Sequence, residues 1–395
     1  MDSEFQSKKD SNLEYCLQTP RAVLSTEGYT EEDSNETDRL IKEFLAGKFY
    51  LYDAINEIKS AGIELDKTEL EEIGTRNQTI TELKAILKEW IVTVAMEYLK
   101  LDEKSARAEE ARIFPFGSHR LGVNSRGGDI DILVLCPTFV DRDRDFFGDL
   151  FERLKAQPGI EELVKVNDPR VLVPVIKLTF HNIPIDLAFA KFDLGASDDL
   201  NDNRILPTSM DEKMVYSING PRNVDGIIRS VDPENKNPMR VYNFRTTLKL
   251  LKLWAKNRGI YSNVLGYVTG ISLAILVAKI CQLYPNLKPN KLIEKFFIHY
   301  SEWDWENVPV LIEPIRTYEN LDKLNEMQWY DPKSEIGQEK INNMKMDPYS
   351  SPMMVATPAF PVMNSTRKVN KTTLTIIKQQ LMIGREILQK KPVAW

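Results

Sequence analysis

The residues best able to do chemistry in this chain lie between 114 and 136, in the stretch FPFGSHRLGVNSRGGDIDILVLC. Asp129 and Asp131 stand two apart where an apolar run begins. Alternate side chains of a β-strand share a face, so both carboxylates point the same way, about 6–7 Å apart along the strand. Like charges this close repel unless a cation lies between them. A divalent ion relieves that repulsion, and Mg²⁺ takes a few carboxylates together with phosphate oxygens and water. A third acid on a neighbouring strand would complete a two-metal cradle. Asp186, in IPIDLAFA, is the candidate, set between Ile185 and Leu187 with no evident local partner. Upstream, Gly117-Ser118 follows the short apolar strand IFPF. Such a pair can form a tight turn opening a helix, whose free N–H groups and hydroxyl hold a triphosphate. Asp-x-Asp alone, or Gly-Ser alone, is a weak signal; the two in this order with a later strand acid are specific.

Several elements must position these residues. Short β-rich runs, IDILVLC at 130–136, VPVIKLTF at 173–180 and IPIDLAFA at 183–190, are separated by turn-forming residues. The last two are joined by His181-Asn182, which suits a tight hairpin. Between the first and second lies DRDFFGDLFERLKAQ, an amphipathic helix, so 113–195 reads as a small α/β or α+β domain. Helices flank it. One is expected from Asn35, with Leu40, Ile41, Phe44 and Leu45 in phase, and a clearer one over Thr79–Lys100. In the latter, Leu83, Ile86, Leu87, Trp90, Ile91 and Val94 form one stripe. From about 205 the chain is helical again, ending in a helix from Lys371 to about Lys390. Within it Arg245, Lys249, Lys252 and Lys256 recur at helical spacing and share a face. Beside an acidic metal site such a stripe suits a wall that meets phosphate; otherwise it reads as a solvated face. Lys177 is a weaker candidate, expected to point to water.

Composition is consistent with a soluble globular protein and excludes some classes. No apolar run reaches the roughly 18 residues of a membrane span, and the first residues lack the apolar core of a secretory signal. Cys16, Cys136 and Cys281 lie too far apart for a disulfide framework or zinc spacing. A net charge of −6 argues mildly against nonspecific coating of nucleic acid. His119, His181, His299, Trp303, Trp305 and the Met-rich loop at 353–363 read as packing residues.

The surrounding words narrow the reading. FGSHRLGV, GGDIDILVLCP, FVDRDRDFF, VPVIKL, IPIDLAFAKF, SINGPR, LKLWAKNRGIYSNVLGY, AKICQLYPN and TPAFPVMNST occur in order from about Asn35 to Leu388. In this the chain resembles the eukaryotic nuclear-type poly(A) polymerases, within the polymerase-β-like nucleotidyltransferases. The resemblance implies an α/β (α+β) polymerase-β-like nucleotidyltransferase domain with a mainly helical middle domain. The divisions it implies are a disordered segment 1–34, a helical segment 35–77 packing on the middle domain, and a catalytic domain 78–200. The middle domain then spans 201–362, and 363–395 is a helix left from an RNA-binding domain. It implies a template-independent adenylyltransferase that adds AMP from ATP to RNA 3′ ends and releases pyrophosphate. Asp129, Asp131 and Asp186 would bind two Mg²⁺ ions, with Mn²⁺ able to substitute. Phe116, Gly117, Ser118, Val175, Lys252, Tyr261, Asn263, Gly270 and Ile271 would bind the nucleotide. It further implies a monomeric catalytic unit in the nucleus, with no membrane association and with cleavage and polyadenylation factors supplying RNA affinity. Thr269 departs from the pattern, standing for the first residue of a glycine pair. Two alternatives stay open: a terminal uridylyl or CCA-type enzyme, since base choice rests on contacts around Val175, Asn263 and Thr269, and a non-catalytic scaffold subunit of an RNA-processing complex.

Overall fold

A computed structural model describes residues 67–192, 199–203, 206, 210–329, 335, 337–339 and 351–390. The segment 1–34, Cys16 and the helix expected from Asn35 lie outside the described residues. The chain divides into two compact units, one ending at Val224 and the other resuming at Asp225.

The first unit begins with helix α1 (Lys67–Tyr98) and a single turn α2 (Glu103–Ala106). Strand β1 (Arg112–Phe116) leads directly into the short helix α3 (Gly117–Arg120), and β2 (Ile130–Cys136) follows. A π-helical segment, Arg142–Leu150, runs into α4 (Phe151–Lys155). Strands β3 (Ile160–Val166), β4 (Val175–Phe180) and β5 (Ile183–Lys191) complete the sheet. Its order is β1-β2-β5-β4-β3, with β2 and β5 parallel and every other neighbouring pair antiparallel.

Period-two alternation decides which face is core. Ile130, Ile132 and Val134 of β2, Ile176 and Leu178 of β4, and Ile185, Leu187 and Phe189 of β5 are buried on one face. There they meet Leu83, Leu87, Trp90, Ile91 and Val94, the predicted stripe of α1, with Phe146 and Phe147 of the π segment. Burying each such side chain contributes roughly 1.5–3 kcal/mol, which fixes the strands' phase. The residues between them, Asp131, Lys177 and Asp186, therefore face the other way. His181 and Asn182 take φ values of 51° and 62°, as a two-residue hairpin of primed type requires.

The second unit is helical. Helix α5 (Glu212–Val231) bridges the boundary in sequence. It is followed by α6 (Pro238–Asn257), α7 (Gly270–Leu283), α8 (Pro289–Glu302), α9 (Asp322–Met327) and α10 (Lys371–Lys390). Its core is aromatic: Tyr300 stacks on Trp305 at 5.3 Å, while Phe296 and Phe297 pack edge-on against Trp254. Helix α10 lies close to α8 at Gly384, where a Cβ would run into the Phe297 ring. Trp303 and Trp305 are buried with their indole N–H groups donating to the carbonyls of Val308 and Tyr300. Met353 and Met354 are buried.

Candidate active site

All five strands contribute to one transverse row. Phe116 of β1 lies opposite Asp131, Asp131 opposite Asp186, Asp186 opposite Lys177, and Lys177 opposite Val164 of β3. Residues directly across a ladder share a face. Asp129 just precedes β2, and one carboxylate oxygen each from Asp129, Asp131 and Asp186 lie within 4.8 Å of one another. Asp129 is exposed; the other two are half-buried. Three hard oxygen donors at this separation fit Mg²⁺ or Mn²⁺ and suit no soft-ligand metal.

The turn ahead of Asp129 is held from both sides. Gly127 has φ +67°, and the Gly128 N–H donates to Ser125 O at 2.9 Å. From behind, the buried Arg76 of α1 donates through Nη2 to the Gly128 carbonyl at 2.6 Å, a charge-assisted bond. Gly117 has φ +62°, and a Cβ there would collide with the Asp131 carboxylate. The Gly-Ser turn thus presses its backbone against the acid, which only glycine permits. Phe116 precedes it with its ring against α5, where a Cβ on Gly220 would come within 2.9 Å. Val175 lies opposite Ala188 and two residues from Lys177, so it shares the face of the acids. Burial, then the nearby charges of Arg76 and Arg120, push the His119 imidazole down to about 4, and it packs as a neutral ring.

The structure departs from the sequence-based expectation at two lysines and one acid. Asp186 has a partner: the Lys177 ammonium donates to its Oδ2. Lys177 is half-exposed, yet its charge is spent on that carboxylate and not simply on water. Lys249, expected on a solvated stripe, is buried like Lys252, because the stripe turns inward over its middle two members; Lys256 stays exposed. Arg76 and Arg222 are not among the residues that the sequence motifs single out. Arg76 continues the stripe of Thr79, Leu83, Leu87 and Trp90 at steps of three or four, so a charge in the buried phase was the signal. Arg222 is buried in α5, donating to Asn219 Oδ1 at 2.9 Å and also to Asn203.

The remaining candidates belong to the second unit. Lys252 is buried on α6. Tyr261 and Gly270 adjoin, since a Cβ on Gly270 would stand 2.9 Å from the Tyr261 hydroxyl. Asn263 is exposed at the head of a tight loop, its carbonyl accepting from the Gly266 N–H at 3.2 Å, and Ile271 is half-buried in the first turn of α7.

Residues 63–231 match the family model for the poly(A) polymerase nucleotidyltransferase domain, and residues 243–393 match that for the poly(A) polymerase central domain. The chain belongs to the poly(A) polymerase family. Poly(A) polymerase of Dictyostelium discoideum is 39% identical over 323 residues, covering 81% of this chain and 36% of that protein. Nuclear poly(A) polymerase 1 of Arabidopsis thaliana is 38% identical over 322 residues, 81% of this chain and 41% of the relative. The chain thus spans about two fifths of the length of these curated relatives. Among solved structures, the RNA terminal uridylyl transferase Cid1 superposes with a TM-score of 0.54 at 16% identity, covering 90% of this chain and 94% of that one. That likeness supports the polymerase-β-like nucleotidyltransferase fold. Within this poly(A) polymerase family chain, Thr269 has a local role. Its hydroxyl accepts from Ser272 N at 3.2 Å while Ser272 Oγ accepts from Thr269 N at 2.7 Å, a capping box that starts α7.

Proposed function

We propose that this chain carries the catalytic core of a template-independent RNA adenylyltransferase, which adds AMP from ATP to RNA 3′ ends and releases pyrophosphate. The observation that carries the reading is the three-carboxylate cluster on one sheet face, pressed against the Gly117 turn, in a poly(A) polymerase family chain. Asp129, Asp131 and Asp186 would hold two divalent cations, Mg²⁺ or Mn²⁺. When bound, such ions activate the attacking 3′-hydroxyl and stabilise the charge on the leaving pyrophosphate. The Gly117-Ser118 turn would offer backbone N–H groups and a hydroxyl to the triphosphate, and Lys252 and Tyr261 would supply further contacts to it. Phe116 and Val175 would offer apolar surface to the base, and Asn263, Gly270 and Ile271 would border it. Relatives named as nuclear enzymes support a nuclear site of action. RNA-processing factors would supply further affinity for RNA. Among the described residues, no helix is long and apolar enough to cross a membrane.

The test is extension of a labelled oligo(A) primer with ATP and Mg²⁺, wild type beside Asp129→Ala. Asp129 is exposed, so the variant should keep its unfolding midpoint while losing extension by orders of magnitude. Equal extension by both proteins would remove Asp129 from the metal site. Competition among ATP, UTP, CTP and GTP on the same primer should favour ATP; a UTP preference would overturn the assignment of the nucleotide.

A further inference from the structure

Three carboxylates with one oxygen each within 4.8 Å of one another repel strongly, and a cation that reaches them relieves that repulsion. One such cation belongs to the chain. Lys177 stands directly across the β4–β5 ladder from Asp186, and its ammonium donates to Asp186 Oδ2. A divalent ion at Asp186 must either compete for that oxygen or bind the other one beside a like charge. Both lower its affinity.

The residue type suits exchange. A lysine ammonium is a compact charge on a flexible four-carbon stem, without the two-pronged grip of a guanidinium. The Lys177 side chain is 49% exposed, so water can take over its hydrogen bonds as it leaves; that of Asp186 is 18% exposed and stays behind. An ion pair this open is weak enough to give way. The register is not incidental either. The two-residue turn at His181-Asn182 pairs Phe180 with Ile183, which sets Lys177 against Asp186 three steps further along.

We propose that Lys177 is a resident counter-cation of the acid cluster. It neutralises part of the charge at Asp186 and must release Oδ2 before a divalent ion settles there. The ion at Asp186 is therefore the weaker and later of the two to bind. No covalent bond changes: one ammonium leaves a carboxylate and one dication replaces it. The inference rests on the reading of the triad as a metal site.

Manganese binding, followed by electron paramagnetic resonance on the full chain without nucleotide, tests the lysine apart from activity. Lys177→Met should bind Mn²⁺ roughly five- to tenfold more tightly than wild type, the effect of removing one positive charge a few ångströms from a dication. Lys177→Arg, which keeps the charge, should stay at or below wild-type affinity. Removing a merely structural side chain gives no reason for binding to tighten. Asp186→Asn marks the site. If it weakens Mn²⁺ binding while Lys177→Met binds no more tightly than wild type, the counter-cation role alone is overturned. If neither Asp129→Asn nor Asp186→Asn alters Mn²⁺ binding, the metal reading falls and the lysine proposal with it.

Discussion

Gly117 and Gly127 have nearly the same positive φ, +62° and +67°, but different surroundings. A Cβ on Gly117 would overlap the Asp131 carboxylate, while a Cβ on Gly127 would meet nothing within 4 Å. Alanine at either position carries the left-handed backbone penalty, about 1–2 kcal/mol. At Gly127 that penalty is the whole effect. At Gly117 the Asp131 side chain must also move, because the overlap is far inside van der Waals contact. Misplacing a catalytic group by about 1 Å can lower turnover about 100-fold. The assay pairs urea unfolding with primer-extension kinetics at saturating ATP for both variants. Gly127→Ala should lose stability and keep kcat within a few-fold, whereas Gly117→Ala should lose at least as much stability and about two orders of magnitude in kcat. Equal kcat in the two variants would refute the claim that Gly117 is required for its approach to Asp131.

Two further outcomes are expected. Lys252→Ala should raise the KM for ATP by roughly 10- to 100-fold, the range for losing a charge-assisted phosphate contact; an unchanged KM would leave Lys252 a buried structural cation. His119 and His299 are each pushed down to about 4, first of all by burial. Unfolding restores them to near 6.5, so the unfolded chain binds more protons between those values. The stability held with both rings neutral is fully present above about pH 6.5 and declines as pH falls toward 4, by up to about 3 kcal/mol per histidine. Urea midpoints from pH 7 to 4.5 should show a shallower decline in His119→Phe than in wild type, and parallel curves would mean that His119 takes up its proton without loss.

Much of the acid site was legible because strand periodicity is strict. Ile130, Asp131 and Ile132 can alternate in only one way once the apolar pair is buried. The Lys177–Asp186 pair was within reach as well, since a hairpin turning at His181-Asn182 pairs residues symmetrically about it. Strand β3 was not legible. Its run IEELVKV carries a register shift between Glu161 and Val164, and Glu162 has φ +50°, so its apolar residues lose the period of two. The helix expected in DRDFFGDLFERLKAQ opens as a π segment, Arg142–Leu150, in which the adjacent Phe146 and Phe147 are both buried. A 3.6-residue template does not distinguish that from an α-helix. Helix α1 starts at Lys67, before the expected Thr79; its first turns, KTELEEIGT, contain few of the apolar residues that mark a buried stripe, so periodicity alone does not reveal them. Burial of Lys249 depends on packing that no local pattern encodes.

The transverse row from Phe116 to Val164 also constrains how the gene can change length. One residue gained or lost within β4, β5 or their turn must be looped out locally, or else it exchanges the two faces of β5. The second outcome would drive Asp186 into the space of Leu187 among Leu83, Trp90 and Phe146, and expose Ile185 in its place. Tolerated insertions should therefore gather in segments off the row, such as residues 167–174 between β3 and β4. The spacing from Val175 to Lys191 should instead hold constant among functioning relatives, a pattern of gaps set by the geometry of the sheet.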